Sequence, residues 1–188
     1  MSSVRNEPFI YETDRLGFRG LRHSDLDGPY AHWLNDQEVC RHLRHGGFPI
    51  TNEKLKAYID MLQITEANLV WAIVEKDRST HVGNVALQDI DQVRRSADLA
   101  IILGDKNCWG LGYSEEAARV LLSHGFQKIG LHRVSCGTSK PNVGMIKLAE
   151  RLGMKQEGVR RDAMFEEGQF VDMIEFGILK KEFDSEIS

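Results

Sequence analysis

The spacing of apolar residues alternates between strand-type and helix-type along this chain, which predicts a domain of the mixed α/β class. Thr13–Leu21 alternates loosely between apolar and polar positions and is predicted to be a strand. The apolar residues of 52–62 recur instead at helical spacing, behind Thr51, a residue suited to capping a helix N-terminus. The same change of period recurs downstream, so strands and helices should be interleaved.

The full pattern predicts a substantial sheet and about four helices, an α/β (α+β) arrangement. Further strands are predicted at 69–75, 81–89, 96–103, 132–137, 155–162 and 170–179. Helices are predicted from Ser24 through Leu34, from Thr51 to Leu62, from the N-cap Ser114 to Gln127, and from Asn142 to Leu152 with Gly153 as the C′ residue. Since no linker or repeat divides the chain, we expect one domain over 1–188, with 1–11 as a short flexible N-terminal segment.

Composition and charge narrow the class of protein. Lys plus Arg is 24 and Asp plus Glu is 28, a net charge of −4, so no basic field exists to hold nucleic acid. The apolar stretches are too short to span a bilayer, and Met1–Pro8 lacks an apolar signal core. The three cysteines, Cys40, Cys108 and Cys136, form no paired motif. We therefore expect a cytoplasmic protein with reduced thiols and neither nucleic-acid nor membrane partners.

The segment Asp98–Ser114 carries the most informative chemistry. An apolar strand is followed by a polar loop and then by Gly110-Leu111-Gly112, which leads into a helix. Glycines let the backbone approach a ligand closely, and a helix N-terminus favours an anion, so the segment can cradle phosphate. It is neither a Walker A loop, which needs a Lys, nor a dinucleotide fingerprint, because Glu115 stands at the third glycine. From these glycines alone, a plain strand-to-helix turn remains the alternative.

The wider segment resembles a known family. Asn107–Ala117 (NCWGLGYSEEA) is similar to the pyrophosphate loop of the GNAT superfamily of N-acetyltransferases, in the form shown by its RimJ/RimL-like branch. Asn107 stands where that family usually has Gln or Arg. A second match begins at Asn142 and ends in Glu150–Met154 (ERLGM). Weaker matches occur in order at 12–16, 33–39, 82–84 and 160–172, so the resemblance extends from about 12 to 183.

The resemblance implies the GNAT fold, with a mixed, mostly antiparallel sheet whose two central parallel strands splay apart around the cofactor. It implies an N-acetyltransferase that binds acetyl-CoA and transfers the acetyl group by direct attack of a primary amine. The residues that it places at the cofactor are Ile101, Ile102, Leu103, Asn107, Trp109, Gly110, Leu111, Gly112, Tyr113, Ser114 and Asn142. Because carboxylates facing the phosphates would repel them, we expect the side chains of Glu115 and Glu116 to point away.

For catalysis, the resemblance aligns Asp98 with an acidic residue near the acceptor amine, so Asp98 is the candidate general base. A solvated carboxylate at a strand end is the alternative. Ala149 stands where many members have a Tyr acid, and Met145 where the branch often has Ser. The acid therefore stays unassigned, and an inactive acyl-CoA-binding sensor is the alternative function.

The acceptor stays open among a protein N-terminus, a polyamine, an amino sugar and an antibiotic amine. Arg41, His42, Arg44 and His45 lie in the variable loop that shapes the acceptor site in this family. No third side chain stands at the spacing that a metal site with these histidines would need, so we expect a solvated loop and no metal. The family often forms dimers, which suggests a homodimer.

Overall fold

The computed structural model describes residues 8–43 and 48–187, and its centre is a single sheet of eight strands. The strands run in the spatial order β1-β2-β3-β4-β5-β6-β8-β7. Their bounds are β1 Tyr11–Glu12, β2 Leu16–Gly20, β3 Leu69–Glu75, β4 Thr80–Asp91, β5 Ser96–Leu103, β6 Arg133–Ser139, β7 Lys155–Glu166 and β8 Gln169–Leu179. All neighbouring strands are antiparallel except β5 and β6.

Five α-helices cover the sheet. They are α1 Tyr30–Trp33, α2 Asn52–Leu62, α3 Tyr113–His124, α4 Val143–Arg151 and α5 Lys180–Ile187. One face of the sheet packs against α1 and α2 through Trp33, Leu55 and Ile59. The opposite face forms the larger core, to which α3 contributes Leu121 and α4 contributes Leu148. No helix in the described part of the chain is long and apolar enough to cross a membrane.

The parallel pair β5 and β6 separates in the middle of the sheet. It is paired at only three positions, from Ser96 with Arg133 to Asp98 with Ser135. Beyond these positions β5 continues to pair with β4 and β6 continues to pair with β8, so a gap opens between them. This is the splayed arrangement that the family resemblance implies, with α3 following β5 and α4 following β6.

The first helix differs from its prediction. The predicted helix is divided into a 3-10 turn over His23–Asp27 and the short helix α1. The capping carboxylate of the turn is Asp25, which accepts from Arg22 N at 3.0 Å. Ser24 is therefore not the N-cap. Gly28 is extended and Pro29 has no N–H to donate, so the turn cannot continue into α1.

Smaller differences concern helix ends and chain ends. Helix α3 starts one residue before the predicted N-cap Ser114, because Gly112 takes the cap position with φ +81°. Helix α5 was not predicted, and Tyr11, predicted to lie in a flexible N-terminal segment, pairs with Phe18 in the sheet. Thr51 caps α2 as predicted, and Gly153 has the left-handed conformation expected of a C′ residue.

Candidate active site

A groove of about 510 Å³ lies where β5 and β6 separate. The end of β5 forms one wall, the N-terminus of α3 and its preceding loop form the floor, and α4 forms the other wall. We call it the interstrand groove. Of the residues that the sequence assigns to the cofactor, nine line this groove: Ile101, Ile102, Leu103, Trp109, Gly110, Gly112, Tyr113, Ser114 and Asn142.

The glycine loop is shaped to receive an anion. Gly110 and Gly112 have φ of +76° and +81°, a region that favours glycine. No atom lies within 4 Å of where a Cβ of Gly110 would be, so the backbone there faces open space. The first N–H groups of α3 have no intrahelical acceptors, and the positive end of the helix dipole adds to them. The arrangement is a cradle for phosphate at the entrance of the groove.

Side chains from outside the loop fix its position. The Arg15 guanidinium donates to the Leu111 carbonyl at 2.9 Å and lies 4.7 Å from the centroid of the Tyr113 ring. The Trp109 indole donates to the Leu103 carbonyl at 2.8 Å. The Tyr113 hydroxyl donates to Glu75 at 3.2 Å. Tyr113 is thus a buried support of the loop.

Two predicted cofactor residues are not among those lining the groove. Asn107 is exposed, and its side-chain amide donates to Asp105 Oδ1 at 3.0 Å. Leu111 is half-exposed and contributes its carbonyl to the contact with Arg15. In this structure the contacts of Asn107 and Leu111 therefore stabilise the loop itself.

Asn142 joins α4 to the strand beside it. Its side-chain oxygen accepts from Met145 N at 3.1 Å, which is the predicted N-cap, and its amide donates to Thr138 Oγ1 at 3.0 Å. Ala149, which replaces the family's Tyr, is fully buried, and Met145 packs against the core. Neither position offers an acid to the groove.

The two glutamates at the start of α3 are paired differently from one another. Glu116 faces away from the groove, where it binds Thr13 and the Arg15 guanidinium, as expected. Glu115 lines the groove, contrary to expectation, and is held by Arg119 at 3.1 Å and Arg151 at 3.9 Å. These cations offset its charge close to the cradle.

Asp98 lies at the point where β5 and β6 separate. It is exposed, and it accepts a hydrogen bond of 2.7 Å from the Ser135 hydroxyl. It is not among the residues that line the interstrand groove. Its role as general base stays a prediction.

A polar cluster that could not be predicted from the sequence involves His42, which also lines the interstrand groove. His42 Nδ1 lies 3.0 Å from Glu166 Oε2 and 3.1 Å from Ser139 Oγ. His42 was expected in a solvated loop, but its side chain is only 24% exposed because the β7–β8 hairpin covers it. Neither Ser139 nor Glu166 lies in a recognisable sequence motif. The three residues come together only in the folded chain.

A second cavity, of about 800 Å³, opens beside this cluster, between the loop after α1 and the β7–β8 hairpin. We call it the hairpin cavity. Its lining includes Gln37, Met164, Phe165, Glu166 and Met173. Arg44 and His45 lie outside the described residues. Within 8–43 and 48–187, no group of three or more His, Cys, Asp or Glu side chains is arranged to hold a metal ion.

The cysteines are unsuited to nucleophilic roles. All three are buried and free. Burial raises the pKa of Cys136 to about 12. Burial also raises the pKa of Cys108, which faces the Arg78 guanidinium at 3.2 Å. Since the thiolate is the nucleophile, a raised pKa disfavours a nucleophilic role for these thiols.

Comparisons with known proteins agree with this architecture. A family model for the acetyltransferase (GNAT) domain matches residues 15–155. The uncharacterized N-acetyltransferase p20 of Bacillus licheniformis is 29% identical over 178 residues, covering 91% of this chain and 96% of that protein. The putative ribosomal N-acetyltransferase YdaF of Bacillus subtilis is 30% identical over 104 residues, covering 55% and 56%.

The solved structures agree on the fold. The spermidine N-acetyltransferase of Vibrio cholerae in complex with CoA and spermine matches with a TM-score of 0.83, covering 91% of this chain and 99% of that one at 20% identity. Fold and groove together define an acetyltransferase of the mixed-sheet, splayed-strand class. The chain belongs to the GNAT acetyltransferase family and is an N-acetyltransferase.

Proposed function

We propose that this N-acetyltransferase takes its acetyl group from acetyl-CoA and delivers it to a primary amine that enters through the hairpin cavity. The observation that carries the proposal is the interstrand groove, which joins a phosphate cradle to a gap between two parallel strands. An extended molecule with a pyrophosphate at one end and a narrow arm fits such a site.

The residues of the groove suit each part of that molecule. The amides around Gly110, Gly112 and Ser114 suit the pyrophosphate. The backbone of Ile101–Leu103 borders the gap in which the arm would pair with β5, and the apolar side chains beside it exclude water. Asn142 already uses its side chain as a helix cap, so a further contact to the arm would come from its remaining hydrogen-bonding capacity.

Acetyl-CoA, as the donor substrate, supplies an activated acetyl thioester. What the chain must supply is a bound amine, a group that takes its proton, and a site dry enough to keep water from competing. Neither Ala149 nor Met145 can protonate the departing sulfur. A thiolate leaves readily on its own, so this reaction can proceed without an acid.

The class of amine is the open part of the proposal. The spermidine N(1)-acetyltransferase of Escherichia coli is 28% identical over 61% of this chain, and YdaF is named as a putative ribosomal enzyme. The hairpin cavity has the size of a small-molecule site. It carries both acidic and basic side chains, among them Glu167 and Arg160, so charge alone does not select a polycation.

The proposal is tested by thiol release from acetyl-CoA with a panel of amines. The panel is spermidine, an amino sugar, and short peptides with free or blocked N-termini. We expect release to depend on one class of free amine, with the acetylated product identified by mass. Saturable acetyl-CoA binding with no turnover on any amine would instead favour the sensor, the alternative suggested by Ala149 and Met145.

Two broader expectations also remain proposals. One domain over 1–188 predicts a single cooperative unfolding transition, followed by circular dichroism in urea. A homodimer predicts twice the mass of one chain by light scattering. Neither depends on which amine is used.

A further inference from the structure

Outside the glycine loop of the interstrand groove, three polar side chains form a partly buried cluster: His42, Ser139 and Glu166. It connects three elements: His42 lies in the loop after α1, Ser139 at the end of β6, and Glu166 at the end of β7. Its polar atoms meet at the single nitrogen Nδ1 of His42, 3.0 Å from Glu166 and 3.1 Å from Ser139. An imidazole held in this way has a defined orientation.

The orientation leaves the other ring nitrogen available. When His42 Nδ1 carries the proton, it donates to the Glu166 carboxylate, and Nε2 then has a free lone pair. Nε2 has no hydrogen-bond partner among the described residues. The tautomer set by Glu166 is therefore the one that can accept a proton at Nε2.

The cluster is more deeply buried than an ordinary ion pair at the protein surface. The Glu166 side chain is only 7% exposed, and Ser139 is fully buried. Glu166 Oε1 is buried with no hydrogen-bond partner in the described part of the chain. An unpartnered buried carboxylate oxygen is costly. The buried carboxylate therefore holds the His42 ring through Nδ1 and leaves Nε2 directed elsewhere.

Position gives the cluster its access to both substrates. His42 lines the interstrand groove, whereas Glu166 lines the hairpin cavity. The residues beside His42, Arg41 and Leu43, line both cavities, so the two spaces meet at this loop. A proton acceptor at this meeting point lies where an amine from one cavity would reach a thioester in the other.

We propose that His42 is the general base of the acetyl transfer, and that Glu166 and Ser139 are positioning residues that hold its ring. This inference rests on the proposed function. The neutral amine attacks the thioester carbonyl carbon, a C–N bond forms, and the C–S bond breaks with its electron pair going to sulfur. The proton of the amine nitrogen passes to His42 Nε2 and then to the thiolate or to water, which completes the balance.

The structural alternative is that the cluster only fastens the loop to the hairpin. Arg41 and Glu167 make such a fastening contact next to it, at 3.2 Å, and both are more than half exposed. A fastening role would not depend on a free Nε2. Restoring an imidazole without restoring the covalent link therefore separates the two roles.

The central test is His42→Ala assayed with acetyl-CoA and the best amine, with and without added imidazole. We expect kcat to fall by about 10²–10³-fold, within the range of general base catalysis, while acetyl-CoA binding by calorimetry is unchanged. Added imidazole should recover about tenfold of the loss in this variant and nothing in the wild type. The matched control is His23→Ala, which removes a histidine paired with Asp60 at the exposed surface and should keep full kcat.

Two further variants test the positioning. Glu166→Gln keeps an acceptor for Nδ1 but removes the charge, and we expect kcat to fall by about tenfold or more with a smaller change in KM. Asp98→Asn tests the competing base. If Asp98→Asn abolishes turnover while His42→Ala retains it, the proposal is overturned.

Other outcomes are equally decisive. Loss of turnover in His42→Ala with no recovery by imidazole and weakened acetyl-CoA binding would show a fastening role and overturn the inference. If the wild type binds acetyl-CoA but turns over no amine, the proposed function fails first, independently of His42.

Discussion

At the scale of single residues, Asp25 is the centre of a buried charge cluster that lies away from the interstrand groove. Asp25 is buried and accepts from the Arg19 guanidinium at 2.6 and 2.9 Å. Burial alone would raise the pKa of Asp25, but hydrogen bonds from Arg19 and Arg22 and the charge of Arg19 outweigh it, with a contribution from His81, so the pKa is lowered. The ionised carboxylate is therefore the form that stabilises the fold.

This cluster predicts a pH-dependent loss of stability in Asp25→Asn. Removing one member of a buried ion pair costs about 3–5 kcal/mol, so we expect a loss of that order at pH 7 in urea unfolding. Because the folded pKa is lowered, the stabilisation is present above about pH 4, the ordinary value in an unfolded chain, and is lost as the pH falls through the folded value. The gap between variant and wild type should therefore close below pH 4.

The control for this variant is Asp60→Asn, because Asp60 is exposed and pairs with the surface residue His23. We expect a small change with little pH dependence. An equal loss for Asp25→Asn at pH 7 and pH 3 would contradict the assignment of an ionised Asp25.

Single-residue predictions succeeded where the physics is local. Asn142 and Thr51 cap helices because a short polar side chain reaches the backbone two or three residues on, which the sequence alone encodes. The predictions for Ser24 and His42 were wrong because they depend on other parts of the chain. Pro29 interrupts the helix that Ser24 was expected to cap. The β7–β8 hairpin, about 120 residues away, covers the loop that contains His42.

At the scale of elements, the site depends on how the end of β5 is held. The chain turns at Gly104, directly under the Trp33 ring of α1, and Gly104 N donates to the Val82 carbonyl at 2.9 Å. A Cβ on Gly104 would overlap atoms of the Trp33 ring. Packing of α1 and the path of β5 into the glycine loop are therefore coupled.

Gly104→Ala should consequently destabilise the protein. Overpacking of this kind costs about 1–3 kcal/mol, which urea unfolding measures. The matched control is Gly20→Ala at the end of β2, where no atom lies within 4 Å of the new Cβ and the change should stay within about 0.5 kcal/mol. Equal stability of the two variants would show that the Trp33 contact is unimportant.

Element types and order were predictable because strands and helices here have clear apolar periods. The family resemblance added the splay of β5 and β6, which periodicity cannot show. The ends of elements were harder to predict. Helix α3 begins at Tyr113, before the predicted N-cap Ser114, because Gly112 has a left-handed conformation at the cap position. The last helix, α5, was not predicted, although Phe183 is buried in the core, because its other residues are largely polar.

At the scale of the whole molecule, the active site is a product of the sheet order. The parallel strands β5 and β6 meet in the middle of the sheet, and α3 and α4 follow them on the two sides of the gap. The β7–β8 hairpin then folds over the loop after α1 and forms a second cavity. The sequence predicted the first of these spaces through its glycine loop, but the second depends on contacts between distant segments that carry no motif.

The most direct test of this account is a calorimetric titration of the wild type, Gly112→Glu and Gly168→Glu with acetyl-CoA. Both glycines have positive φ, +81° and +85°, so both variants carry the same added charge and similar backbone strain. Only Gly112 lies in the cradle; Gly168 is in the β7–β8 turn with open space around it.

We expect the wild type and Gly168→Glu to bind one acetyl-CoA per chain, and Gly112→Glu to bind at least about tenfold more weakly, because its carboxylate repels the pyrophosphate. Wild-type protein that does not bind acetyl-CoA, or a Gly112→Glu variant that binds it normally, would contradict the proposed cofactor site.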